Sequence, residues 1–241
     1  MRSANVDRFE GKHVVVTGGT GALGRDVVQQ LLDEGAVCHV PEMSSSVQDV
    51  LWQDHERVRI SHGVDLIDEE NVAKFYSSIP ASPGLWASIH VAGGFAMSPL
   101  TGVSKSDFVS MMQMNVLTCM LCCKHAAIAM KKKGHGGRLV NVGARPGLFP
   151  ELGAGMVAYT TSKAAVCAFT QAFGAEVASD SILVNAVIPS IMDTPANRNA
   201  MPDADHAAWP NTHDVAQTMV FLASPENTVT RSALVPVYGK S

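Results

Sequence analysis

The stretch Val14-Val15-Val16-Thr17-Gly18-Gly19-Thr20-Gly21-Ala22-Leu23-Gly24 decides the fold of this chain. Three β-branched residues predict a buried strand, and a glycine cluster follows at once. Arg25 to Leu32 (RDVVQQLL) then places apolar residues at helical spacing. Gly19, Gly21 and Gly24 fit G-x-G-x-x-G in a strand–turn–helix context, where the motif carries a mechanism. The glycines permit a tight turn and let the backbone approach a pyrophosphate closely. The free N–H groups and the positive dipole end of the helix then face the phosphates.

Working outward, strand and helix patterns alternate to the end of the chain. This predicts βαβ units and a single α/β domain over residues 1–241. The expected architecture is a Rossmann-type, doubly wound, parallel sheet of about seven strands with helices on both faces. Strands are expected at 36–40, 58–63, 85–91, 138–142, 182–188 and 233–237. Helices are expected at 69–78, from Ser106 as cap to Lys132, at 157–178, and at 212–222 capped by Thr212. Gly134 should end the long helix, with Lys131-Lys132-Lys133 suiting its C-terminal dipole. From Pro189 to Pro210 the periodicity fails, with four prolines, two Asn and three Asp. A loop this long inside a compact domain reads as a lid over a site.

Composition narrows the function. Of the 241 residues 46% are apolar and 17% charged, with net charge −4. No basic field points to nucleic acid or an anionic membrane. No run approaches the ~18 apolar residues of a membrane span, and MRSANVDRFEGK holds no apolar signal core. The five cysteines (38, 119, 122, 123, 167) lie in apolar segments and are odd in number, which predicts reduced thiols in a cytoplasmic protein. Cys119-x-x-Cys122 has no second ligand pair in sequence, so no metal site is expected.

Glu42 lies 18 residues beyond Gly24, close to where a dinucleotide fold places an acid on the adenosine ribose. A carboxylate there repels a 2′-phosphate and favours NAD(H), while Ser44-Ser45-Ser46 keep NADP(H) open. Asp65 either accepts from the adenine amino group or caps a turn. Tyr159 and Lys163, at i and i+4, share one helix face. An ammonium beside the phenol, with a positively charged nicotinamide, would bring the tyrosine pKa down from about 10 toward the working range.

Together these motifs resemble the short-chain dehydrogenase/reductase family along nearly the whole chain. The likeness rests on Thr17-Gly18-x-x-Gly21-x-x-Gly24, on Ala92-Gly93, on Asn115, on Tyr159-x-x-x-Lys163, and on Pro189 followed by Thr194. The resemblance implies an oxidoreductase acting on a small molecule, with Tyr159 as general acid/base. It also implies that Lys163 holds the nicotinamide ribose and that Asn115 keeps a water in the proton relay. Gly18, Thr20, Gly21, Ala22, Leu23 and Gly24 would line the phosphates. Ala92 and Gly93, with Val116 and Pro189, Ile191 and Thr194, would line the cofactor further along. In the family the long helices pair across a two-fold axis, which implies a homodimer or homotetramer.

Three departures from the family pattern matter. Ala22 stands where the compact branch has its middle glycine. His90-Val91 replace the usual Asn-Asn. Asn141-Val142-Gly143-Ala144 replaces Asn-x-Ser-Ser, so Ala144 stands in place of the substrate-polarising serine. Arg145, next in the chain, either supplies a donor instead or is a surface loop residue. The missing serine and the 193–209 lid, with Met201 and Trp209 over the substrate, are similar to the dihydropteridine reductase branch. The expected acceptor is then a carbonyl, quinonoid or imine-like carbon. The alternative is a catalytically silent dinucleotide sensor.

Overall fold

The computed structural model describes residues 7–47 and 50–241; residues 1–6, part of the N-terminal stretch read above, lie outside it. Seven strands form one sheet: β1 His13–Thr17, β2 Val37–Glu42, β3 Val58–His62, β4 Leu85–His90, β5 Gly137–Val142, β6 Ile182–Pro189 and β7 Leu234–Val237. Their order is β3-β2-β1-β4-β5-β6-β7, and every pairing is parallel. The helices are α1 Ala22–Asp33, α2 Glu69–Ser77, α3 Lys105–Met112, α4 Thr118–Lys133, α5 Arg145–Leu148, α6 Val157–Glu176, α7 Pro195–Ala200 and α8 Thr212–Ala223. The chain crosses from β3 back over the sheet to β4, so strand order reverses beside β1. The crevice at that switch point is where open α/β sheets bind ligands.

Two apolar layers sandwich the sheet, as expected. On one face α1 (Val27, Val28, Leu31) and α8 (Val215, Met219, Val220) pack on Val14 and Val16; on the other, α2 and α4 (Phe75, Leu121, Met130) pack on Val15 and Leu139. The alternation of Val14, Val15 and Val16 between the layers follows from the period-2 strand.

Helix boundaries follow local chemistry and correct two expectations. The long helix begins at Ser104, not Ser106. Ser104 accepts from Asp107 N–H while Asp107 accepts from Ser104 N–H, a reciprocal cap that Ser106 cannot form. Asn211, not Thr212, caps α8 by accepting from Asp214 N–H. Between α3 and α4 the helix widens into a π turn at Gln113–Leu117 that carries Asn115. Gly134, in the left-handed region at φ 73°, ends α4 beside Lys131–Lys133, as the sequence predicts. The 189–210 segment is more ordered than a bare loop, because Thr194 caps the short α7. Among the described residues no helix is long and apolar enough to cross a membrane.

Candidate active site

The glycine turn is a cradle that side chains would fill. Gly18 has φ +64°, and a Cβ there would lie 2.8 Å from Ala92 N; at Gly24 it would lie 2.0 Å from the Gly18 carbonyl oxygen. Substitution at Gly24 therefore lifts α1 off the turn. Gly21 occupies the N-cap of α1 with no side chain bonding the first turn. The leading N–H groups at Ala22, Leu23 and Gly24 thus face the crevice, as pyrophosphate binding requires. Across the switch point, Thr17 Oγ1 accepts from Ala92 N at 3.2 Å, which ties the β1 end to the β4 end. The crevice fits a dinucleotide.

Glu42 closes β2 beside this turn. It accepts from Thr20 Oγ1 at 2.7 Å and from Ser44 N at 3.0 Å. Burial pushes its carboxyl up, but the hydrogen bonds from Ser44 and Thr20 outweigh that and hold it below the usual value. An ionised carboxylate is therefore fixed at the rim of the cradle. Asp65 accepts from Ile67 N at 3.0 Å, so its side chain does cap a turn.

The residues expected to move the proton come from the π turn, which carries Asn115, and from α6, which carries Tyr159 and Lys163. Asn115, 2% exposed, accepts from Gly94 N at 2.9 Å and donates to Gly94 O at 3.0 Å and to Ser162 Oγ at 2.9 Å. Ser162 in turn donates to the Tyr159 carbonyl at 2.7 Å. Gly93 packs so closely that a Cβ would lie 2.6 Å from Asn115 Oδ1. The π turn thus locks the loop after β4 to the helix bearing Tyr159. Ser162 was not anticipated from sequence; its place directly before Lys163, on the inward face of α6, is the available signal.

Lys163 is buried and donates to the Val142 carbonyl at 2.9 Å, with Nζ 6.0 Å from the centroid of the Tyr159 ring. Burial lowers its ammonium to about 8. Burial also pushes the Tyr159 phenol up to about 12. At this separation the lysine alone does not overcome desolvation of the phenolate.

Beneath the site, the His90 substitution has a partner. Asn141 Nδ2 donates to Thr170 Oγ1 at 2.9 Å, which turns Asn141 Oδ1 toward His90 Nδ1 at 2.8 Å; His90 Nε2 meets Ser88 Oγ at 2.8 Å. Ser88 continues to Tyr76 at 2.8 Å. The ligand atoms of His90, Cys119 and Cys123 lie within 4.8 Å of one another, a grouping the sequence does not reveal because β4 supplies the histidine. Both His90 nitrogens are already engaged in this polar network. All five cysteines are free thiols.

Ala144 is buried and extended, and directly precedes α5. Arg145 stacks its guanidinium over Tyr238 at 4.9 Å, so its ring contact is with the C-terminal segment and not with Tyr159. Thr194 is occupied in capping α7 through Asn197 N at 3.2 Å. Pro189 ends β6, and Ile191 just beyond it is exposed. Within the 189–210 segment, His206 binds the Met201 carbonyl at 2.8 Å and packs on Trp209 with ring centroids 4.6 Å apart. Trp209 borders a cavity with α8 and Gly239-Lys240.

A family model described as short chain dehydrogenase matches residues 12–205. Galactitol 2-dehydrogenase of Rhizobium johnstonii is 31% identical over 249 aligned positions, covering 95% of each chain. Cyclopentanol dehydrogenase of a Comamonas species is 28% identical over 249, covering 96% of this chain and 97% of that one. Among solved structures, ElxO with NADP bound superposes with a TM-score of 0.87 at 24% identity, over 95% of this chain and 98% of that one. The family match runs through every element that builds the crevice, from β1 to the segment after β6, and the chain belongs to the short-chain dehydrogenase family of nicotinamide-dependent oxidoreductases.

Proposed function

We propose that this protein is an NAD(H)-preferring reductase of electron-poor carbonyl, quinonoid or imine-like carbons, with Tyr159 exchanging the proton. One observation carries the reading. Tyr159, Lys163 and Asn115 are all retained, with Asn115 tied through Ser162 to the Tyr159 backbone and Lys163 held on the Val142 carbonyl, while Ala144 offers no donor to a plain ketone. A dinucleotide sensor has no need of that relay. Bound in the cradle, the nicotinamide supplies or accepts the hydride. The chain's part is to orient the cofactor through the glycine turn and Lys163, and to hold a proton on the Tyr159 hydroxyl. The lid at 189–210, with Met201 in its middle, closes the acceptor side. The lid and the missing serine make a quinonoid dihydropterin one acceptor worth trying. The named substrates of the relatives range from a polyol to a carbocyclic alcohol, so kinship alone does not choose among them.

The test is oxidation of NADH and NADPH with a panel of plain ketones, quinones and quinonoid pterins. Activated acceptors should turn over well above plain ketones. Tight cofactor binding without turnover of any acceptor establishes the sensor reading instead.

Cofactor choice rests on Glu42. Its carboxylate would accept from ribose hydroxyls and repel a 2′-phosphate. Titration should show NADH binding at least about tenfold tighter than NADPH, and Glu42→Arg should erase or reverse that order, as roughly 1.4 kcal/mol of charge interaction suffices. Tighter NADPH binding by the native chain removes this role for Glu42.

The assembly is a homodimer or homotetramer. Phe108, Met112, Val116, Leu117 and Met120 line one apolar groove along α3, the π turn and α4. Pairing of these helices between copies would cover it. Light scattering at micromolar concentration should report a dimer or tetramer, and a monomer refutes this.

A further inference from the structure

Two loops meet beside Tyr159. Phe95, from the loop after β4, stands edge-on to the Tyr159 ring with centroids 4.9 Å apart at 81°, yet keeps 59% of its surface exposed. Met97, 67% exposed, reaches across to the segment before α6, where its Cε lies 3.5 Å from the position of a Cβ on Gly155. Behind Phe95, the Met114 sulfur fills the space against Gly94. An aromatic ring thus stands against the phenol, with two thioethers on the same pair of loops and the helix behind them, and Phe95 and Met97 are largely open to solvent.

Polar recognition is missing from the same loops. The run Val91 to Ser104 (VAGGFAMSPLTGVS) holds no charged residue, and Pro146 to Tyr159 (PGLFPELGAGMVAY) holds only Glu151. Ser98 Oγ turns to the Pro99 carbonyl at 3.3 Å. A polyhydroxylated or anionic substrate would be desolvated here with few partners, at a cost for every hydroxyl left unpaired. A flat apolar substrate would instead cover the exposed Phe95 face and the Met97 thioether, both suited to ring contacts.

We propose that Phe95 and Met97 form the acceptor subsite and select neutral, flat, carbocyclic or aryl carbonyl compounds over sugar-like carbonyl compounds. This rests on the reductase reading given above. The substrate's carbonyl carbon receives a hydride and its oxygen receives the Tyr159 proton, giving an alcohol. Phe95 is a specificity residue: it touches the substrate skeleton and takes no proton.

The experiment compares 1,2-dicarbonyls of similar reactivity and different skeleton: 1-phenylpropane-1,2-dione, cyclohexane-1,2-dione, methylglyoxal and 3-deoxyglucosone. With saturating NADH and, separately, NADPH, kcat/KM for the phenyl and cyclohexane diones should exceed that for 3-deoxyglucosone by roughly tenfold or more. Phe95→Ala should raise KM for the phenyl dione by roughly tenfold and weaken use of methylglyoxal, which has no ring to place there, several-fold less, and Phe95→Tyr should restore KM for the phenyl dione. Equal or better use of 3-deoxyglucosone, or an equal loss on every dione in Phe95→Ala, overturns the subsite while leaving the reductase reading standing. Failure of all four diones with both cofactors while quinones are still reduced overturns the subsite alone; failure of quinones as well overturns the reductase reading too.

Discussion

Tyr159→Phe should lower turnover on the best acceptor by about 10²–10⁴-fold, the usual worth of a positioned general acid, while leaving NADH affinity nearly unchanged. The phenol sits in an apolar setting between Phe95 and α6, so removing its oxygen leaves the packing intact. Lys163→Ala should damage both turnover and cofactor affinity, because in the proposed role the same ammonium would hold the ribose and neighbours the phenol. It should also cost stability, since Lys163 donates to the Val142 carbonyl, which would be left without that bond. Acidity separates the two residues further. The Lys163 ammonium is lowered to about 8, so it is charged below that pH and loses its proton as pH rises through it. The kcat/KM for the cofactor, which reports the free enzyme, should therefore be flat below about 8 and fall above it. The Tyr159→Phe variant should keep this break in its cofactor-binding profile, because the titrating group is still present. Near-native turnover by Tyr159→Phe means that another group delivers the proton and the mechanism is wrong.

Fold and site were legible to different depths, for physical reasons. Val14–Val16 and the glycines after them place β1, the turn and α1 because strand period, glycine permissiveness and helix spacing all agree there. Caps differ from the expected residues by one or two positions because neighbouring cap formers compete, Ser104 with Ser106 and Asn211 with Thr212, and only the bonds to Asp107 and Asp214 decide between them. The six-residue α7 escaped because it is too short for apolar periodicity, although Thr194-Pro195 is a readable cap and first turn. Glu42 and Tyr159-x-x-x-Lys163 are readable from local spacing. Phe95, Ser162 and the His90–Asn141 pair are not, because each acts through a partner brought near only by the sheet. The burial that raises the Tyr159 phenol is hidden for a related reason: proximity to Lys163 is local, whereas burial is global.

Restoring a hydroxyl with Ala144→Ser tests how the site works without one. Ala144 follows β5 in extended conformation and is buried, so a serine there adds one oxygen to a confined space beside the chain that supports Lys163. A donor aimed at developing oxyanion charge is worth roughly 2.7–4 kcal/mol in the transition state, about 10²–10³ in rate. A plain ketone concentrates that charge on one oxygen and should gain most from the new hydroxyl. A quinonoid acceptor spreads charge over its ring system, needs less localised stabilisation, and should gain much less. The expected result is a rise of at least about tenfold in kcat/KM for simple ketones, with quinonoid acceptors changing by about twofold at most. The full gain requires the hydroxyl to reach the oxygen that Tyr159 protonates, and α5, which separates Ala144 from α6, sets that reach. A rise of equal size for both classes would show that the serine acts on positioning or cofactor binding instead of polarisation. No rise for ketones, with the variant folded and binding NADH normally, would show that Ala144 is not what restricts the substrate range.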